Sequence, residues 1–365
     1  MPNTFRENYL ARARGDSIDR LPFAPDLSVW LRVNEKNGTT PERYRGMDLL
    51  ELHAELDCCM PWHIYGDFME FEYPGMKLDR RTEGDRAVTD LETPAGSVTG
   101  YRERVPGGES WAWREHWVKS LDDVKVVEYM LEHRRVKARY DRLAEVMGWI
   151  GEAGIGDMVV GYTPLLRILV EWVGIERGIY MLVDHPREME HLMEIAAAAD
   201  DAVFEIVAGA PGCNIVIVGD NMDTRYVSPD MYERYCLPHY QRRTEFLHSH
   251  GKIVSTHMDG SIRALFPYLP DTGFDYIDGC TPAPMNDFEP AELCAALGPG
   301  QRAQCGPPST LFTQGLPDSV IAESTRESIG GMAEKLLLIV GDQVPENSDI
   351  EQVRLVAEMA RDAAV

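Results

Sequence analysis

The sequence predicts an α/β fold: a single-domain (β/α)8 TIM barrel over residues 1–365, with a β-hairpin insertion after its second strand. Three observations lead there. Short apolar runs recur along the chain, nearly all separated by helix-like stretches, and eight such βα units in 365 residues close into a barrel more naturally than they form an open sheet. Several of the later runs stop at Gly, Asp, His or Cys, which puts reactive side chains at strand carboxyl ends, where such folds keep their sites. The rhythm breaks once, between residues 76 and 118, in short β segments with turn punctuation.

In chain order, residues 1–20 read as a mixed-charge helix, and Leu27-Ser28-Val29-Trp30-Leu31 as the first strand. Thr40-Pro41-Glu42 opens a helix to about Asp57, because proline at the first helical position loses no hydrogen bond there. Met60 to Tyr65 is the second strand. The β insertion follows, with turns at Thr82-Glu83-Gly84-Asp85, Pro94-Ala95-Gly96 and Pro106-Gly107-Gly108. It ends in Trp111, Trp113 and Trp117, which can wall a flat substrate or pack the insert, the commoner role of such rings. Ser120, with Asp123 three residues on, caps a long helix to about Met147. The third strand is Asp157 to Tyr162, and a helix runs over 185–208. Strands four to eight are Asn214–Val218, Lys252–Thr256, Phe274–Asp278, Gln301–Gln304 and Lys335–Val340, and a last helix runs from Ser348 to about Arg361.

Composition bounds the function. A formal net charge of −24 repels nucleic acid and anionic membrane surfaces, so neither is an expected partner. No apolar stretch approaches the roughly 20 residues that span a bilayer, and the start of the chain lacks a signal peptide's apolar core. The seven cysteines have no CxxC pair and no disulfide-like spacing, so a cytoplasmic location is expected. An exposed barrel face could pair two copies as a homodimer.

Five strand ends converge on one mouth of such a barrel: Asp220 and Asn221, His257 and Asp259, Cys280, Cys305, and Asp342. Zn²⁺ accepts imidazole, carboxylate and thiolate, and a catalytic site leaves one position open. His257 and Asp259, two residues apart beyond a strand, can turn toward one centre with Asp342 as a third ligand. Asp220 can orient a substrate, act as a base, or cap its loop, while Asn221 and Tyr162 are placed to touch substrate. Cys280 and Cys305 can line the substrate pocket, serve as ligands, or simply fill space. His53, His63, His133, His185 and His191 have no constellation around them.

From about residue 20 to 360 the chain resembles the uroporphyrinogen decarboxylase superfamily, in particular its zinc-dependent, corrinoid-linked methyltransferase branch. The likeness rests on Glu92-Thr93-Pro94-Ala95-Gly96-Ser97; on Gly219-Asp220-Asn221 followed by Val227-Ser228-Pro229-Asp230-Met231-Tyr232; on Leu237-Pro238; on Gly251-Lys252 before Thr256-His257-Met258-Asp259-Gly260; and on Val340-Gly341-Asp342. In that branch a His-x-Cys and a later Cys hold zinc. Here His257 keeps the histidine, while Asp259 and Asp342 stand in the two cysteine positions. Carboxylates donate less electron density than thiolates, so such a zinc would be a stronger Lewis acid, suited to an ether oxygen rather than a thiol. The arginine-rich segment by which the decarboxylases bind tetrapyrrole carboxylates is reduced here to Arg32.

The resemblance thus implies a methyltransferase of the O-demethylase type. It would take a methyl group from a small O-methyl compound, such as an aryl methyl ether, and pass it to a corrinoid protein on a separate chain. The alternative is a decarboxylase or lyase of the same superfamily working without metal through Asp220, His257 and Asp259.

Overall fold

The computed structural model describes residues 2–105, 110–313 and 315–364, which form two compact units. The first comprises residues 1–66, 140–161 and 210–365, and the second residues 67–139 and 162–209. The turn expected at Pro106-Gly107-Gly108 lies outside the described residues.

In chain order the strands are β1 (Met60–Tyr65), β2 (Met69–Glu72), β3 (Lys77–Glu83), β4 (Arg86–Thr93), β5 (Gly96–Arg104), β6 (Trp111–Glu115), β7 (Arg135–Ala138), β8 (Gly154–Val159), β9 (Ile215–Ile217), β10 (Ile253–His257), β11 (Tyr276–Cys280), β12 (Arg302–Cys305) and β13 (Leu336–Leu338). The first unit holds a seven-stranded parallel sheet in the order β1-β8-β9-β10-β11-β12-β13. Its two edges are joined by the extended segment around Phe23. Cys59 N donates to Phe23 O at 2.8 Å, and Ala24 N donates to Leu338 O at 2.9 Å. This segment does the work of an eighth strand. Pro22 and Pro25 have no N–H to give a ladder, so only one bridge, Phe23 to Leu338, takes regular form.

The first strand is therefore not Leu27–Leu31, which opens the helix Ser28–Asn37. Leu27, Trp30, Leu31 and Asn34 are its buried residues, the i, i+3, i+4, i+7 stripe of a helix packed on one side. The sixth and seventh strands were expected one or two residues too early, because Tyr276 and Arg302 begin the paired segments.

The barrel floor is one buried cluster. Ala24, Cys59, Ile155, Ile215, Ile253, Tyr276 and Leu337 each come from a different strand or its approach, and Tyr9 and Ala13 of the helix Phe5–Arg14 plug them from below. Tyr9 is tied to the wall by Gln304, whose Nε2 donates to its hydroxyl at 2.6 Å. Because side chains alternate along a strand, residues two and four positions beyond this floor also face inward. That places Asp157 two beyond Ile155, Asp278 two beyond Tyr276, His63 four beyond Cys59 and His257 four beyond Ile253.

The second unit contains the expected β insertion, as a four-stranded antiparallel sheet β3-β4-β5-β6 rather than one hairpin. Trp113 stacks on His116 at 5.1 Å, and Arg102 and Arg104 lie over Trp113 and Trp111. Ser120 and Asp123 form the expected capping box, but the helix stops at His133, short of Met147. Arg135–Ala138 instead pairs antiparallel with β2, aided by the Arg139–Glu70 ion pair at 3.1 Å. Tertiary pairing here overrides local helix preference. The helix expected over 185–208 is two, Pro186–Ala199 and Asp201–Gly209, around buried Asp200, which accepts from Arg134 at 2.6 Å and Arg167 at 2.9 Å.

Candidate active site at the barrel mouth

His257 is the last residue of β10, and its cross-strand neighbour in register is Asp278 of β11. The imidazole Nδ1 lies 2.7 Å from Asp278 Oδ2, with the aspartate side chain 5% exposed. The other ring nitrogen, Nε2, faces Asp259 Oδ2 at 3.8 Å. Gly279, with φ +75, brings backbone so close that an added Cβ would sit 2.5 Å from the His257 ring. The ring is thus held by a carboxylate on one edge and walled on its face. Burial pushes the His257 imidazolium down, but the nearby Asp259 carboxylate and the hydrogen bond and charge of Asp278 win and raise it well above the usual histidine range. Asp278 responds in the opposite sense: burial works against its charge, and His257 holds its carboxyl below the usual value.

The same device occurs a second time. His63 of β1 stands in register with Asp157 of β8, and its Nδ1 lies 2.9 and 3.1 Å from the two carboxylate oxygens. Burial lowers the His63 imidazolium, and the charge and hydrogen bond of Asp157 overcome it, raising it to about 10. Charges at Asp278 and Asp26 act on it in the same sense. His63 carried no signal in the sequence beyond its place four residues after Cys59, since its partner lies 94 residues away.

The other candidates fall as follows. Asp342 is solvent-exposed at the mouth; desolvation by its surroundings raises its carboxyl, against the pull of His257. Asp220 is wholly buried and accepts a hydrogen bond from the Tyr240 hydroxyl, so its carboxylate faces the helix Leu237–Ser249. Asn221 beside it is exposed, and its carbonyl accepts from the Tyr226 hydroxyl. Cys280 and Cys305 pair in register between β11 and β12 and are wholly buried. Burial pushes both thiols up, Cys305 to about 12, which keeps them protonated. Tyr162 belongs to the second unit, where it is half-buried.

The donors at His257 fit a metal ion in one respect. A histidine that donates one N–H to a buried carboxylate and presents the other nitrogen is oriented as metal-binding histidines commonly are. Nε2 and the Asp259 oxygen face each other across a gap that a shared ion could bridge. In another respect the set is incomplete: among the described residues, no three His, Cys, Asp or Glu side chains are assembled in ligating geometry. Nor is any described helix long and apolar enough to cross a membrane.

Comparison with known proteins fits this architecture. The chain resembles the structure of a methyltransferase from Methanosarcina mazei, with a TM-score of 0.64 and 14% identity over 99% of this chain and 98% of that one. A B12-independent methionine synthase from Shewanella sp. W3-18-1 aligns with a TM-score of 0.46 and 12% identity, over 93% of this chain and 96% of that one. Curated protein sequences gave no match. The family profile described as uroporphyrinogen decarboxylase (URO-D) matches residues 165–363, more than half of the sequence and with it β9 to β13, and the chain belongs to that family.

Proposed function

We propose that the chain is a methyltransferase of the uroporphyrinogen decarboxylase family that removes the methyl group from a small O-methyl compound, an aryl methyl ether being the model donor. The methyl group would pass to a corrinoid protein on a separate chain. Family membership and the fold likeness to the Methanosarcina mazei methyltransferase support the class. The observation that carries the reading is His257, clamped through Nδ1 by Asp278 and turned with Nε2 toward Asp259.

His257, Asp259 and Asp342 would hold zinc, which when bound supplies Lewis acidity toward an ether oxygen. The residues themselves do the orienting. Asp278 fixes the His257 tautomer, and Gly279 fixes the ring plane. Asn221, exposed at the end of the β9 loop, is available to hydrogen-bond the donor. Buried Asp220 and Tyr240 brace that loop rather than reach substrate.

The test is anaerobic incubation with a reduced corrinoid protein and candidate methyl ethers, followed by absorbance. Appearance of a methyl-cobalt band, lost in His257→Ala, supports the proposal. No band with any donor, in protein whose metal content has been confirmed, overturns it. A metal-free decarboxylase or lyase using His257 and Asp259 is the competing reading, favoured by the placement of His257 between two carboxylates, Asp278 at 2.7 Å and Asp259 at 3.8 Å. It requires full turnover after metal is removed.

A further inference from the structure

The two histidines of the mouth are built alike but are not equally free. Each stands four residues beyond the barrel floor, and each is locked through Nδ1 to the aspartate in register with it on the next strand. His257 has a carboxylate on both edges, Asp278 at 2.7 Å and Asp259 at 3.8 Å, so its Nε2 is already turned to a neighbour within the protein. His63 has a carboxylate on one edge only, and among the described residues its Nε2 makes no hydrogen bond. Its side chain is 28% exposed while that of Asp157 is 5% exposed. The pair is therefore open to solvent on the His63 side and closed at Asp157. Tyr65, two residues on and therefore on the same side of the strand, is 71% exposed with its ring 6.2 Å from the imidazole, a surface on which a flat donor could rest. The two pairs also feel each other: Asp278 acts on His63, and His257 acts on Asp157.

We infer that His63 is the proton donor to the leaving oxygen of the methyl donor, a role distinct from that of His257. The inference rests on the methyl-transfer reading. As the methyl carbon–oxygen bond breaks, its electron pair stays on oxygen, and that oxygen takes the proton from His63 Nε2. The methyl group goes to the reduced cobalt of the partner corrinoid protein, which supplies the electron pair for the new bond. His63, left neutral, regains a proton from water, its side chain being 28% exposed. An imidazolium raised to about 10 matches the acidity of an ordinary phenol, the condition for efficient proton transfer to a phenolate. The titratable groups that face it are Asp157 from β8, Asp278 from β11, and Asp26 from the segment before the helix Ser28–Asn37.

The experiment compares two donors, anisole and 4-nitroanisole, in methyl transfer to a reduced corrinoid protein by the full chain and by His63→Gln. Nitrophenolate leaves well without a proton; phenolate does not. His63→Gln should lose about 10²–10⁴-fold in kcat with anisole and less than about tenfold with 4-nitroanisole, with KM changed little for either. Equal loss with both donors, or no loss with anisole, overturns the inference while leaving the methyl-transfer reading intact. Failure of the unaltered chain to transfer from either donor sinks that reading and the inference together. Asp157→Asn, which keeps the side-chain volume, guards against a folding defect. It should move the basic limb of the anisole pH–rate profile to lower pH, and an unmoved limb also overturns the inference.

Discussion

Alanine at position 279 should disable the site through His257 alone. Gly279 sits at φ +75, a left-handed conformation that costs an L side chain about 1–2 kcal/mol. The added Cβ would lie 2.5 Å from Cε1, 2.7 Å from Nδ1 and 3.2 Å from Nε2 of His257. Carbon contacts settle near 3.5–4.0 Å, so the ring must retreat by about 1 Å. The bond from Nδ1 to Asp278 is 2.7 Å long and such bonds fail beyond about 3.2 Å, so the retreat breaks it. A hydrogen bond to a charged group contributes about 1.5–3 kcal/mol, and together the two effects should lower Tm of a chain of 365 residues by roughly 3–7 °C. Misplacing a reacting group by about 1 Å can cost on the order of 10²-fold in rate. The assay is calorimetry and methyl transfer on Gly279→Ala, His257→Ala and the double variant. In the double variant the steric penalty should largely vanish, leaving the backbone cost. Strictly additive losses, or a single variant with unchanged Tm and rate, would refute the packing argument.

Other expectations follow from the same geometry. The His63 ring, followed by NMR, should titrate near 10; in Asp157→Asn burial is opposed only by the charges of Asp278 and Asp26, and the midpoint should fall. Because the folded value is raised, the stability His63 contributes should be fully present below about 6.5 and should fade as pH rises through about 10, read from Tm against pH. Tyr240→Phe removes a donor from buried Asp220 and should cost about 1–3 kcal/mol in denaturant unfolding. Protein purified without chelator should carry zinc near one per chain, and His257→Ala should lose it, as read by elemental analysis.

Much of this was legible in the sequence because it depends on local order. The βα rhythm, the strand ends at His257 and Asp220, the Ser120 cap and the β insertion all follow from short-range spacing. What escaped depends on register. Asp278 reaches His257 across 21 residues and Asp157 reaches His63 across 94, and neither distance has any periodicity to betray it. Counting inward positions from the floor residues Ile155, Tyr276, Cys59 and Ile253 would have found all four, had the floor been known. The closing segment at Phe23 was missed because its prolines hide a strand, and the helix at Ser28 was missed because a five-residue apolar window cannot tell the two periods apart.

The most direct measurement is a crystal structure of the protein soaked with zinc, read by anomalous scattering around His257. The expected result is an ion bonded to His257 Nε2 and an Asp259 oxygen, with Asp342 drawn in and Nδ1 still held by Asp278. An ion found elsewhere, or a His257 ring turned away from Asp278, would contradict it.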